Sequence, residues 1–133
     1  MKIVAVSGYF DPFHVGHLEY LEKSKTLGDY LFVIVNNDYQ AKLKKKKSFM
    51  PEGERLKIIR SLSCVDGAIL ATDKDRTVRE TLTVVRPDIF TNGGDQNNST
   101  IPEIEVCQEL GIELIDGLGD KIQSSSWLIK KNT

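Results

Sequence analysis

Short apolar runs alternate along this chain with longer stretches in which apolar residues recur every three or four positions. The first run, KIVAV (residues 2–6), is apolar on both faces, as a strand buried in a parallel sheet requires. Residues 15–28, VGHLEYLEKSKTLG, predict a helix. Val15, Leu18, Leu21 and the stem of Lys25 share one face, and Gly28 suits the stop. YLFVIV (30–35) predicts a second buried strand. NNDYQAKLKKKKSFM (36–50) has no apolar period long enough for a core element and predicts a loop. PEGERLKIIRSLS (51–63) opens with Pro51 and acids and ends near Arg60, the charge order a helix dipole favours. GAILA (67–71) predicts a third strand, and TVRETLTVVRP (77–87) a helix stopped before Pro87. DIFTNGGD (88–95) predicts a fourth strand ending in two glycines. IPEIEVCQELG (101–111) predicts a helix with Pro102 in its first turn, and IELID (112–116) a fifth strand. SSSWLIKK (124–131) predicts a serine-capped terminal helix with a basic end.

This alternation predicts an α/β fold: a Rossmann-like three-layer sandwich with a five-stranded parallel sheet, in a single domain spanning residues 1–133. Crossovers should be right-handed. Ligands of such sheets bind beyond the C-terminal strand ends, near the point where strand order reverses. The unusual residues fall at those ends. Gly8 and His14 follow the first strand, Asn36, Asn37 and Asp38 the second, and Asn92, Gly93, Gly94 and Asp95 the fourth.

Composition narrows the function classes. With 133 residues, 40% of them hydrophobic and 28% charged, the chain is an ordinary globular protein large enough for a real core. Its net charge of −1 gives no global basic field, so no nucleic-acid partner is expected. The local exception is KLKKKKS, residues 42–48, whose lysines read first as a solvated surface. Cys64 and Cys107 form no C-x-x-C pattern and read as a reduced pair, which suits a cytoplasmic location. The chain passes from Met1 straight into a strand pattern, leaving no room for a signal peptide, and no apolar run approaches the roughly 20 residues of a membrane span. No membrane partner is expected.

The only two histidines, His14 and His17, stand three residues apart at the start of the first helix. A histidine in that position often only partners the backbone. Two histidines one turn apart can also ligate zinc, but only Asp11 is nearby as a third ligand, so no protein metal site is expected. The third reading is phosphate chemistry. Gly8 would let a ligand approach the backbone, the helix start offers amides and a positive dipole end, and two imidazoles add donors in the same place. Gly16 leaves space between them. There is no GxxxxGK[ST] and no GxGxxG after the first strand, which sets aside the P-loop and nicotinamide-cofactor readings.

GYFDPFHVGH (8–17) resembles the H-x-G-H signature of the cytidylyltransferase-like nucleotidyltransferase superfamily. KIQSSSWLI (121–129) resembles its second signature, a serine- or threonine-rich helix start near the C-terminus. The likeness runs nearly end to end. It is strongest to small single-domain members, the glycerol-3-phosphate cytidylyltransferases and the adenylyltransferase domain that activates heptose 1-phosphate. RPDxxxxGGD (86–95) is closer to the heptose pattern, and the stretch before Ser124 lacks the arginine usual in the glycerol-phosphate enzymes.

The resemblance implies an enzyme in which a substrate phosphate attacks the α-phosphorus of a nucleoside triphosphate and pyrophosphate leaves. CTP or ATP is the implied nucleotide, with CTP slightly favoured by the small stand-alone relatives. A phosphorylated alcohol or sugar is the acceptor, Mg²⁺ accompanies the triphosphate, and the assembly is a homodimer. His14, His17, Lys44 and Lys121 are the implied catalytic residues. Gly8, Tyr9, Phe10, Gly16, Lys46, Gly94, Asp95, Ser124 and Ser125 are the implied nucleotide contacts. The alternatives are an adenylyltransferase acting on a sugar 1-phosphate and a non-catalytic nucleotide-binding module. Of the weaker signals, Asp11 reads as a holder of its loop, Trp127 as a packing residue, Asn36, Asn37 and Asp38 as turn caps or substrate contacts, and Arg55 as a nucleotide contact or an ion pair on its own helix.

Overall fold

Strand β1, Ile3–Gly8, is central in the five-stranded sheet of the computed structural model, which describes residues 1–45, 50–91 and 102–115. On one side β2, Tyr30–Val35, pairs with it in parallel, Ile3 opposite Tyr30 and Gly8 opposite Val35. Beyond β2 lies β3, Gly67–Leu70. On the other side β4, Ile89–Thr91, pairs with β1, and β5, Glu113–Ile115, pairs with β4. All four pairings are parallel, and the order β3-β2-β1-β4-β5 reverses between β1 and β4. In sheets of this kind ligands bind at such a reversal, beyond the C-terminal strand ends.

Helices cover both faces. Tyr20 and Leu21 of α1, Val15–Lys25, and Ile59 of α3, Glu52–Arg60, pack with Val4, Val6, Leu31 and Val33. Leu82 of α4, Arg79–Val85, and Cys107 of α5, Ile104–Leu110, pack with Ala5, Ile34 and Phe90 on the other face. Burial on both sides explains why the strands read as continuous apolar runs rather than alternating ones. No described helix is long and apolar enough to cross a membrane.

Two expectations need correction. Residues 38–45 form a helix, α2 (Asp38–Lys45), where a loop was expected. Asn37 caps it, its Oδ1 accepting from the Gln40 amide at 2.8 Å. Its buried residues include Gln40 and Ala41. A contact face built on an amide and a methyl leaves no hydrophobic period to read. The buried face of α1 is also rotated from the one expected. Tyr20, Leu21 and Ser24 are buried, whereas Val15 is 67% exposed and Lys25 pairs with Asp66. Two polar groups explain the rotation, because the Tyr20 hydroxyl and Ser24 Oγ both bond Thr91 Oγ1 on β4, at 2.9 and 3.1 Å. The expected terminal helix at 124–131 with Trp127, and the glycines after β4, lie outside the described residues.

Candidate functional site

The loop after β1 folds back on itself. Phe10 takes a left-handed conformation (φ 51°), and its ring, 2% exposed, joins the core beneath the loop. That ring fills the space beside Gly8. A Cβ on Gly8 would meet Phe10 Cζ at 2.7 Å. Gly8 is therefore needed for the loop's own packing, a different reason from the ligand approach expected of it. Asp11 is buried, and its Oδ1 accepts from the Met50 amide at 2.6 Å, which fits the loop-holding role.

The histidines sit at the start of α1. His14 is the N-cap, with Nδ1 accepting from the Gly16 amide at 3.1 Å. His17 reaches back, and its Nδ1 accepts from the His14 amide at 3.2 Å. This is a capping box made from two imidazoles instead of a hydroxyl and a carboxylate. An imidazole that accepts at Nδ1 carries its proton at Nε2, so each ring keeps one N–H donor away from the backbone. The rings stack with centroids 3.8 Å apart, and His17 is steadied by Phe10 at 5.2 Å and Phe13 at 5.7 Å. His14 is exposed and His17 half-buried. The arrangement suits an anion, combining a helix N-terminus with two pre-oriented N–H donors.

Behind the loop lies Arg55, 1% exposed. Its guanidinium donates to the carbonyls of Met50 (2.9 Å), Tyr9 (2.7 Å) and Asn36 (2.7 Å), and to Asp38 Oδ1 (2.7 Å). It thus joins α3 to the loops after β1 and β2. Its ion pair crosses to α2 rather than lying on its own helix as one reading expected. The signal in the sequence was a cation four residues before Ile59, on the face that α3 buries. Asn36 and Asn37 are likewise held within the protein. Asn36 Nδ2 bonds Gln40 Oε1, and Asn37 Nδ2 bonds the carbonyls of Ala71 and Asp73. Both serve the turn.

The structure brings together Gly8, Tyr9, Phe10, His14, Gly16 and His17 beyond the end of β1. Lys44 falls within α2, its side chain outside what is described. Lys46, Gly94, Asp95, Lys121, Ser124 and Ser125 lie outside the described residues. Tyr9 holds its phenolic proton more tightly than usual, chiefly because it is partly buried. Glu103 adds to this, while the positive charges of Arg76 and Arg55 act against it. Burial also raises the pKa of Glu103, whose Oε2 accepts from the Val78 amide at 3.0 Å. Among the described residues no group of three or more His, Cys, Asp or Glu side chains is placed to hold a metal ion.

Residues 5–126 match the family described as cytidylyltransferase-like. The chain is 39% identical over 130 residues to the FAD synthase of Picrophilus torridus, covering 95% of this chain and 91% of that protein. It is 37% identical over 118 residues to the bifunctional protein HldE of Syntrophotalea carbinolica, covering 86% of this chain but 24% of HldE. The crystal structure of a lipopolysaccharide core biosynthesis protein from Thermoplasma volcanium superposes with a TM-score of 0.75 at 36% identity. That match covers 87% of this chain and 95% of the other. With the histidine pair at the strand-order reversal and a match over most of its length, the chain belongs to the cytidylyltransferase-like family and is a nucleotidyltransferase.

Proposed function

We propose that the chain transfers the adenylyl group of ATP to the phosphate of a small phosphorylated acceptor, with flavin mononucleotide as the leading acceptor. The observation that carries the chemistry is the stacked histidine pair, with both Nδ1 atoms held by backbone amides at the start of α1. The choice of nucleotide and acceptor rests on the near full-length likeness to a FAD synthase, since FAD is flavin mononucleotide joined to AMP through a pyrophosphate. These relatives favour ATP over the CTP slightly favoured by the small stand-alone family members. A sugar 1-phosphate acceptor is the second reading, favoured by RPDxxxxGGD (86–95) and the HldE match.

In the proposed reaction an acceptor phosphate oxygen forms a bond to the α-phosphorus of ATP as the bond to the bridging oxygen of the β-phosphate breaks, releasing pyrophosphate. No protein nucleophile is needed, so catalysis consists of positioning and charge stabilisation. The Nε2–H groups of His14 and His17 donate to the phosphoryl oxygens on which charge builds. The backbone of Gly8, Tyr9 and Phe10 walls the nucleotide, and Gly16 lies beneath it. Lys44, Lys46 and Lys121 supply positive charge to the triphosphate, Ser124 and Ser125 further donors, and Gly94 and Asp95 contacts to base or ribose. Mg²⁺ fits as a companion of the triphosphate rather than a resident ion, because Asp11, the carboxylate beside the histidines, is bonded to the Met50 amide. When bound, it neutralises phosphate charge.

The test is pyrophosphate release, with product analysis, from ATP or CTP with Mg²⁺ and each of flavin mononucleotide, a sugar 1-phosphate and glycerol 3-phosphate. ATP with flavin mononucleotide should give FAD. A tenfold preference for CTP, about 1.4 kcal/mol, would overturn the choice of nucleotide. Release with no acceptor in the panel would favour the non-catalytic module.

A further inference from the structure

We propose that Thr91, the last residue of β4, is a positioning residue that fixes where His17 stands, through two hydroxyl bonds to α1. This rests on the adenylyl-transfer reading above and extends it to a side chain buried out of reach of substrate.

Four residues of α1 share one face at the spacing i, i+3, i+4, i+7: His17, Tyr20, Leu21 and Ser24. His17 is half-buried and the other three are buried, so the face that carries this imidazole is the face that docks on the sheet. Leu21 packs with Val4, Val6, Leu31 and Val33. The hydrophobic effect is non-directional, so that contact holds the helix to the sheet without fixing its rotation or its slide. The hydroxyl bonds fix both. Tyr20 Oη lies 2.9 Å and Ser24 Oγ 3.1 Å from Thr91 Oγ1, so two successive turns of the helix meet one strand atom. Thr91 is fully buried and stands opposite Val6, near the end of β1, from which the histidine loop leaves.

The lever arm is short. Tyr20 follows His17 by three residues, about 4.5 Å along the helix axis. At the roughly 6 Å radius of a side-chain tip, a rotation of about 10° moves an atom by about 1 Å. A misplacement of that size costs on the order of a hundredfold in rate. The capping bonds do not prevent it, because the His14 and His17 Nδ1 atoms accept from amides of α1 and its own N-cap, which turn with the helix. Lys25 also ties α1 to Asp66, but through a long side chain at the far end and a pair one-third exposed.

Packing does not account for three buried hydroxyls. Phenylalanine, alanine and valine would fill the same places with nothing left to satisfy, and such apolar replacement is nearly neutral or stabilising. Burial holds the proton on Tyr20, its bond to Thr91 working against that, so the phenol donates and Thr91 Oγ1 accepts. The second bond joins Thr91 Oγ1 to Ser24 Oγ. A buried network with its members engaged specifies one arrangement of the core, which apolar side chains do not.

The experiment compares wild type with Tyr20→Phe, Thr91→Val, Thr91→Ser and the triple variant Tyr20→Phe/Ser24→Ala/Thr91→Val. The readouts are urea unfolding, steady-state kinetics with ATP and flavin mononucleotide, and the nitrogen-15 resonances of the His17 ring without substrate. Thr91→Val strands two buried hydroxyls and should lose both stability and rate, and Thr91→Ser should recover most of the rate. The triple variant strands none. It should be at least as stable as wild type, with kcat at least tenfold lower, the ATP KM within threefold, and the His17 resonances displaced. Tyr20→Phe leaves Thr91 its bond to Ser24, so it should fold whatever the triple variant does, with kcat at least threefold lower. Wild-type kcat in Tyr20→Phe or the triple variant, rates that simply follow stability across the series, or unmoved His17 resonances would overturn the proposal. A wild-type protein that releases no pyrophosphate would refute adenylyl transfer instead. The ring resonances would then decide the positioning, displaced ones sustaining it and unmoved ones overturning it.

Discussion

Replacing Arg55 by methionine keeps most of the side chain's bulk and removes its charge and every bond it donates. Four acceptors lose their partner: the carbonyls of Tyr9, Asn36 and Met50, and the carboxylate of Asp38. Their costs differ because water reaches them differently. Asn36 is buried, so its carbonyl bears the full penalty of an unsatisfied acceptor, about 1–3 kcal/mol. Tyr9 and Met50 are half-buried and lose less. The Asp38 side chain is 35% exposed and can turn to solvent. The total is about 3 kcal/mol, at the low end of the roughly 3–5 kcal/mol for breaking a buried charge pair. That is a large share of a total stability on the order of 5–15 kcal/mol, and should lower the melting temperature by about 10 °C. Urea unfolding followed by far-ultraviolet circular dichroism measures it. Asp38→Asn and the double variant should show coupling, since the two side chains share a bond. A loss below about 1 kcal/mol for Arg55→Met would refute the view that this residue ties the loops together.

Two further outcomes are expected. Gly8→Ala should cost about 1–3 kcal/mol in the same unfolding assay, because the new Cβ meets the buried Phe10 ring at 2.7 Å and ring or loop must shift; an unchanged midpoint would contradict that packing. Glu103 has a folded pKa raised by burial, so its contribution is fully present below the ordinary carboxylate range and lost as pH rises through the raised value. Glu103→Gln keeps an acceptor for the Val78 amide. It should therefore raise the melting temperature at neutral pH and leave it nearly unchanged in acid, and a gain equal at both pH values would dismiss burial as the cause.

The strands β1, β2 and β4 were legible because they are largely buried, and runs such as YLFVIV have few other uses. The histidine pair was legible because residue type and spacing both pointed to a helix start. What escaped the sequence was held together by polar groups. Helix α2 packs through Gln40 and Ala41, so apolar periodicity is silent there. The face of α1 is set by Tyr20 and Ser24 meeting Thr91, a contact 71 residues away in sequence for Tyr20. Arg55 and Gln40 act on backbone carbonyls, which have no sequence signature of their own. Gly8 has a packing role that the sequence did not show. The neighbouring Phe10 ring takes the space that a side chain at position 8 would need.

The most direct test of the central claim separates capping from catalysis at the histidines. Asparagine places Oδ1 where histidine places Nδ1, so His14→Asn and His17→Asn can keep the bonds to the Gly16 and His14 amides while deleting the Nε2 donors. Turnover of ATP with the acceptor identified above should then fall about a hundredfold or more in each, on the order of 3 kcal/mol of lost transition-state stabilisation, with melting temperatures near wild type. Near-normal turnover in either variant would contradict a catalytic role for that histidine and reduce it to a helix cap.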